Sequence, residues 1–141
     1  MKVSLERVND KFHFVAKNEQ HVSIQIDGAP KIGGSDLGAR PMELVLMGLG
    51  GCSSIDIGLI LGKQKLVIDD MKIEISADRF EDKVPSLFEK IHMLVKLKGD
   101  LPPEKVKRAV DLSINKYCSV ARILEETATI SYAIQLNNVE I

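Results

Sequence analysis

Residues 41–56 read PMELVLMGLGGCSSID and predict a long apolar helix. The proline at its start suits a first helical position, because the N–H that proline lacks has no partner inside a helix. We place the end of this helix near Lys63. It carries Cys52, one of only two cysteines, and the other, Cys118, lies in the downstream segment KYCSV. A thiol in such a helix, with one distant possible partner, points to cysteine redox chemistry.

The composition predicts a single globular domain over residues 1–141. Of these residues 45% are hydrophobic and 28% charged, and the net charge is −1. Without a basic excess and without tryptophan, we expect no nucleic-acid partner. Two cysteines are too few for a secreted disulfide scaffold, and the N-terminus lacks the apolar core of a signal peptide. We therefore expect a cytoplasmic location.

The apolar helix is also about long enough, over residues 44–61, to span a bilayer. It contains Asp56 and several glycines, however, and no second span follows. A helix that is apolar on all sides is buried in a soluble protein, and a small domain has little room to surround it alone. We expect no membrane association, and we expect this helix to be buried against a second copy in a homodimer.

The rest of the pattern predicts an α+β fold with antiparallel strand pairing, in the order βββ-α-ββ-α-β. The first three strands form a meander, and a glycine-rich loop leads from it to the long helix. A second helix opens at residue 103 and ends at Cys118, and a turn or further helical stretch covers 119–126. The strands are expected at 2–8, 12–17, 21–27, 66–80, 88–97 and 127–136.

A reactive cysteine needs neighbours that favour its thiolate, and Cys52 is too far from the helix start to gain from the helix dipole. Asp56, one turn later, lies on the same face, and a carboxylate there opposes thiolate formation unless a cation intervenes. If Cys118 packs against Cys52, Arg122 falls near Asp56 and could pair with it. Glu43 lies about 13 Å along the helix on the opposite face, so it caps the helix or acts through an arginine or across a dimer interface.

More ordinary interpretations of the same residues stay open. A lone cysteine in a glycine-rich apolar helix is usually a small core residue, which applies to Cys52, and Cys118 fits either role. The three histidines are scattered over predicted strands, where packing or surface positions are common. We expect no metal site, because the cysteines and histidines lack close ligand spacing, and we expect no cofactor.

The P-M-E…G-G-C-S-S-I-D helix and the K-Y-C-S-V segment resemble the OsmC/Ohr family, and the resemblance covers nearly the whole chain. It implies an intertwined homodimer whose central helices are enclosed by sheets from both subunits. It also implies a thiol peroxidase that reduces organic hydroperoxides in stress defence. In that chemistry Cys52 attacks the peroxide and becomes a sulfenic acid, and Cys118 condenses with it to a disulfide. A lipoyl or thioredoxin-like dithiol then reduces the disulfide.

Three features depart from the family pattern, and one of them is Asp56, which stands where family members are usually uncharged. Gln25 stands where the family has an arginine on a strand, and Glu43 is displaced by one position because Met42 follows the proline. One alternative is therefore a redox-sensing or small-molecule-binding dimer of the same fold with little peroxide turnover, and another is a structural dimer with inert cysteines. Our candidate catalytic residues are Cys52, Cys118, Glu43, Asp56 and Arg122.

Overall fold

The computed structural model describes all 141 residues, in seven strands and three α-helices. The expected α+β class is confirmed. The chain forms two compact units, Met1–Met47 and Gly48–Ile141.

The first unit begins with an antiparallel meander of three strands, β1 (Val3–Arg7), β2 (Phe14–Asn18) and β3 (Ser23–Ile26). Asparagine side chains shape both turns. The Oδ1 atoms of Asn9 and Asn18 each accept two backbone N–H groups from the residues that follow. Such local bonds replace the strand ladder where the chain reverses. The predicted meander is confirmed.

Asp27 organises the loop that follows β3. Its side chain is 1% exposed, and its carboxylate accepts the backbone N–H groups of Gly28, Ser35 and Leu37 at 2.7–3.1 Å. Burial alone would raise the pKa of Asp27, but these three bonds hold that pKa below its ordinary value. A Cβ at Gly34 would lie 1.9 Å from the Gly28 carbonyl oxygen, so only glycine fits at that position.

The long helix α1 (Pro41–Lys63) has the predicted bounds. Glu43 in its first turn accepts the backbone N–H of Arg40 at 2.8 Å, which satisfies one donor at the helix start. Glu43 therefore caps the helix, which is one of the roles expected for it. Buried side chains recur every four residues and form one stripe along the helix: Leu49, Ser53, Ile57 and Leu61.

The remaining faces of α1 carry apolar side chains that nothing in the single chain covers. Ile55 is 65% exposed and Leu59 is 57% exposed. By length and composition alone, α1 is also the one helix that could cross a membrane.

The second unit contains a four-stranded sheet in the order β4 (Asp70–Arg79), β5 (Phe88–Lys98), β6 (Thr129–Leu136) and β7 (Val139–Glu140). β4 begins later than predicted, because the chain leaves α1 through a turn at Lys65 with φ 60°.

Two features of this sheet differ from the prediction. β5 and β6 pair in parallel, so the expectation of antiparallel pairing throughout is wrong. The helical segment between them carries the chain back to the starting end of the sheet, which parallel neighbours require. β7 is an additional short strand. Asn137 and Asn138, both with positive φ, form the tight turn before it.

The crossover between β5 and β6 contains α2 (Pro103–Leu112), a π-helical turn (Ser113–Tyr117) and α3 (Ser119–Leu124). The predicted second helix therefore ends at Leu112, and the π-helical turn carries the chain on to Cys118. The buried side chains of α2 are Val106, Ala109 and Val110.

Candidate functional site

The two cysteines lie side by side in the second unit. Their Sγ atoms and a carboxylate oxygen of Asp56 all lie within 4.8 Å of one another, and both thiols are free. Cys52 and Asp56 share one face of α1 because they are four residues apart, and the crossover supplies Cys118. We call Cys52, Asp56 and Cys118 the dithiol cluster.

The two thiols differ in exposure. Cys52 is partly exposed, whereas Cys118 is fully buried. Burial raises the pKa of the Cys118 thiol, and the neighbouring Cys52 adds to this. Two hydrogen bonds to Cys118 Sγ lower this pKa but do not cancel the rise. They come from Ser53 Oγ at 3.5 Å and from the Ala121 N–H at 3.4 Å. Cys118 is therefore a protonated thiol at neutral pH, and Cys52 is the thiol that solvent can reach.

Two buried serines hold the cluster together. Ser53 Oγ donates to Cys118 Sγ, and Ser113 Oγ donates to the Ser53 carbonyl oxygen at 3.2 Å. The Cys118 N–H donates in turn to the Ser113 carbonyl oxygen at 2.8 Å. This network joins α1 to the crossover through the residue next to Cys52. We did not predict Ser53 as a site residue, although a serine in an otherwise apolar buried stripe must find a hydrogen-bond partner.

Arg122 occupies the predicted position one turn after Cys118, and its backbone N–H donates to the Cys118 carbonyl oxygen at 3.0 Å. Its guanidinium donates to the Ile114 carbonyl oxygen at 3.1 Å and pairs with Glu125. The expected ion pair with Asp56 is absent, because Glu125, three residues later and just after the end of α3, pairs with this guanidinium. Asp56 Oδ2 and Arg122 Nε are both buried without a hydrogen-bond partner.

A cavity of about 420 Å³ adjoins the cluster at Asp56. Its wall is apolar apart from one carboxylate, one ammonium group and one phenol. Asp56 belongs both to this wall and to the dithiol cluster, so the cavity adjoins the cluster through Asp56, and neither cysteine lines it. The lining residues are Asp56, Leu59, Ile60, Lys63, Leu112 and Tyr117.

The fold and the site define a small α+β protein that pairs a partly exposed thiol with a buried one. The family described as OsmC-like protein matches residues 33–133 of this chain. Protein YhfA of Escherichia coli K12 is 37% identical over 124 residues, which are 87% of this chain and 89% of that protein. The chain belongs to the OsmC-like protein family.

Solved structures share the fold of this chain. A hypothetical protein from Aquifex aeolicus VF5 is 30% identical with a TM-score of 0.79, and the match covers 96% of each chain. An organic hydroperoxide resistance protein, OsmC, from Legionella pneumophila has a TM-score of 0.72 at 11% identity, over 96% of this chain and 97% of that one. The resemblance to the OsmC/Ohr family is confirmed, and the second likeness shows the fold alone.

Proposed function

We propose that this protein is a thiol-dependent peroxidase that reduces organic hydroperoxides in stress defence. One observation carries the proposal: two free thiols, one partly exposed and one buried, have their sulfur atoms within 4.8 Å. A reachable thiol suits the first attack on a peroxide, and a buried partner within reach suits the second step, because it closes a disulfide before further oxidation.

In the first step the Cys52 thiolate attacks the outer peroxide oxygen, the O–O bond breaks, and the alkoxide takes a proton from solvent and leaves as an alcohol. Cys52 is then a sulfenic acid. The Cys118 sulfur attacks the Cys52 sulfur, a disulfide forms, and the released hydroxide leaves as water with the Cys118 proton. A lipoyl or thioredoxin-like dithiol reduces this disulfide and is itself oxidised.

The substrate class follows from the surroundings of the thiols. The cavity beside Asp56 offers the apolar side chains of Leu59, Ile60 and Leu112 to the organic part of a hydroperoxide. Hydrogen peroxide has no such part and gains nothing from them.

We further propose that residues 1–141 act as one domain within a cytoplasmic homodimer. The apolar side chains of Ile55 and Leu59 are more than half exposed in the single chain, and a second copy would remove them from water. α1 contains Asp56, and a charged group inside a membrane span is costly, which favours this role for α1 over membrane insertion. Size-exclusion chromatography with light scattering tests it, and a monomeric mass in solution would contradict it.

The other three candidate residues have supporting roles in this proposal. Asp56 sets the charge beside the thiols and lines the substrate cavity. Arg122 fastens the π-helical turn to α3 and so positions Cys118, rather than neutralising Asp56. Glu43 secures the start of the helix that carries Cys52.

The test is consumption of cumene hydroperoxide with dithiothreitol as the reductant and a chelator present. We expect turnover by the unchanged protein, none by Cys52→Ser, and accumulation of a Cys52 sulfenic acid in Cys118→Ser, visible by dimedone labelling. Hydrogen peroxide should be the poorer substrate. Equal rates for the protein and for Cys52→Ser would overturn the proposal.

A redox sensor is the second candidate, and the charge around the thiols favours it. The Asp56 carboxylate lies within 4.8 Å of both sulfurs, and no lysine or arginine pairs with it. A negative charge without a counterion slows thiolate formation and thus turnover. Stoichiometric formation of the Cys52–Cys118 disulfide without multiple turnovers would identify the sensor.

A further inference from the structure

The dithiol cluster also has the composition of a metal-binding site. Three atoms that can each carry a negative charge meet in one place: the Sγ atoms of Cys52 and Cys118 and a carboxylate oxygen of Asp56, all within 4.8 Å of one another. The sequence does not indicate this site, because the two cysteines lie 66 residues apart (118 − 52) and only the crossover brings them together.

The carboxylate in this cluster lacks both a hydrogen-bond partner for one oxygen and a counterion. Asp56 Oδ2 is buried and has no hydrogen-bond partner, and no salt bridge reaches Asp56. Arg122, the cation expected beside Asp56, is bound by Glu125 and by the Ile114 carbonyl oxygen. Burying a carboxylate oxygen without a partner is costly, and a bound cation removes that cost.

The two sulfur atoms and one carboxylate oxygen of the cluster indicate which cation it prefers. Calcium and magnesium take six or more oxygen ligands, which this cluster does not offer. Two thiolates and one carboxylate suit Zn²⁺, for which three protein ligands and one water make a common tetrahedral set. With Zn–S bonds of about 2.3 Å, tetrahedral geometry places two sulfurs about 3.8 Å apart, so the two sulfurs need to approach each other by about 1 Å or less.

The surroundings of the cluster fit this role as well. Ser53 Oγ and the Ala121 N–H both donate to Cys118 Sγ, and such donors stabilise a metal-bound thiolate and fix its orientation. Cys52 and Asp56 are partly exposed, which leaves a route for the ion and a place for the fourth ligand, a water molecule.

We propose that the reduced protein binds one Zn²⁺ through Cys52, Asp56 and Cys118. On binding, each thiol gives its proton to solvent and its sulfur becomes a thiolate ligand. This goes beyond the proposed peroxidase activity and does not depend on it, because it requires only the reduced dithiol and the carboxylate.

The test is an anaerobic titration of the full-length, reduced protein with Co²⁺, followed by displacement with Zn²⁺. We expect one equivalent of Co²⁺ to produce thiolate-to-cobalt charge-transfer absorption and Zn²⁺ to abolish it. Asp56→Asn should bind at least about tenfold more weakly, since even the loss of an outer-shell partner costs 10- to 100-fold. Cys52→Ser and Cys118→Ser should each lose most of the charge-transfer band. Asp82→Asn, which changes an exposed aspartate elsewhere, should match the unchanged protein.

Two results would overturn the proposal: no charge-transfer absorption with the unchanged protein, or equal Co²⁺ affinity in the unchanged protein and Asp56→Asn. Because Cys118 is buried, its variant is checked for folding by circular dichroism, and the partly exposed Cys52 provides the second thiol variant. The peroxidase assay contains a chelator. Metal binding without turnover would therefore leave this inference standing and remove the proposed function, and turnover without metal binding would do the reverse.

Discussion

Ser53 Oγ donates a hydrogen bond to Cys118 Sγ at 3.5 Å, so the residue directly after one cysteine holds the other in place. The bond lies in the buried stripe of α1, where neither group can turn to water instead. The two thiols are thus positioned relative to each other by adjacent residues of one helix, and the reaction between them depends on this serine.

We predict that Ser53→Ala slows formation of the Cys52–Cys118 disulfide and shifts its pH dependence. The bond from Ser53 lowers the pKa of Cys118, so its loss raises that pKa further and moves the rise in rate to higher pH. The free energy of unfolding should fall by about 1 kcal/mol. Rates of disulfide formation after one equivalent of cumene hydroperoxide, measured with a chelator across the alkaline range, test this.

The matched control is Ser54→Ala. Ser54 Oγ bonds only to the Gly50 carbonyl oxygen of its own helix at 2.7 Å, so its loss should leave the pH dependence of disulfide formation unchanged. Identical pH profiles for the unchanged protein and Ser53→Ala would refute the positioning role.

Removal of the charge beside the thiols should accelerate their oxidation. At 4.8 Å, two unit negative charges repel each other by about 0.9 kcal/mol even at the dielectric constant of water, which corresponds to a factor of about four in a rate or an equilibrium constant. We expect Asp56→Asn to react with iodoacetamide and with hydroperoxide at least about fourfold faster at pH 7 in the presence of a chelator. Asp82→Asn provides the comparison, and a slower Asp56→Asn would show that Asp56 assists the reaction.

Arg122→Ala should destabilise the protein more than Glu125→Ala does. The guanidinium bonds the Ile114 carbonyl oxygen within the π-helical turn, and a bond between a charged group and a buried carbonyl contributes about 1 to 2 kcal/mol. The pairing of Arg122 with Glu125 is partly exposed and contributes less than about 1 kcal/mol. Urea unfolding of both variants compares the two. Equal losses of stability would mean that the Ile114 bond contributes nothing.

The loop around Asp27 should lose its structure as the pH falls. The three backbone N–H bonds lower the pKa of this carboxyl despite its burial, so they stabilise the loop fully above the ordinary aspartate pKa. That contribution is lost as the pH falls below about 4 and through the lowered pKa. Hydrogen exchange at the Ser35 and Leu37 amides measures it. Asp27→Asn should exchange faster at pH 7, whereas Asp10→Asn, at an exposed position, should not.

Local patterns in the sequence predict most of the fold. The bounds of α1 follow from a proline at the first helical position and an unbroken apolar run, and the meander follows from alternation between polar turns. The parallel pairing of β5 with β6 does not follow from any local pattern, since the same strand sequence suits either direction. The π-helical turn also cannot be predicted from a local pattern, because its residues continue the helical periodicity of α2.

The candidate site, like the fold, could be predicted from the sequence only in part. The helical period places Asp56 beside Cys52, and the structure has them together. The closeness of Cys118 depends on tertiary structure, and only the family resemblance suggested it. The ion pair of Asp56 with Arg122 was wrong because a nearer carboxylate, Glu125, competes for the guanidinium. Such competition is decided by side-chain packing, which residue spacing does not describe.

The crossover that links the parallel strands β5 and β6 also determines when, during synthesis, the two cysteines can first meet. Cys118 lies in the crossover between these two strands. Cys52 leaves the ribosome 66 residues earlier, which at about 5 to 20 residues per second is about 3 to 13 s. During that interval the nascent chain holds a lone thiol, so disulfide formation and metal binding are acquired only late in folding, when the crossover is in place.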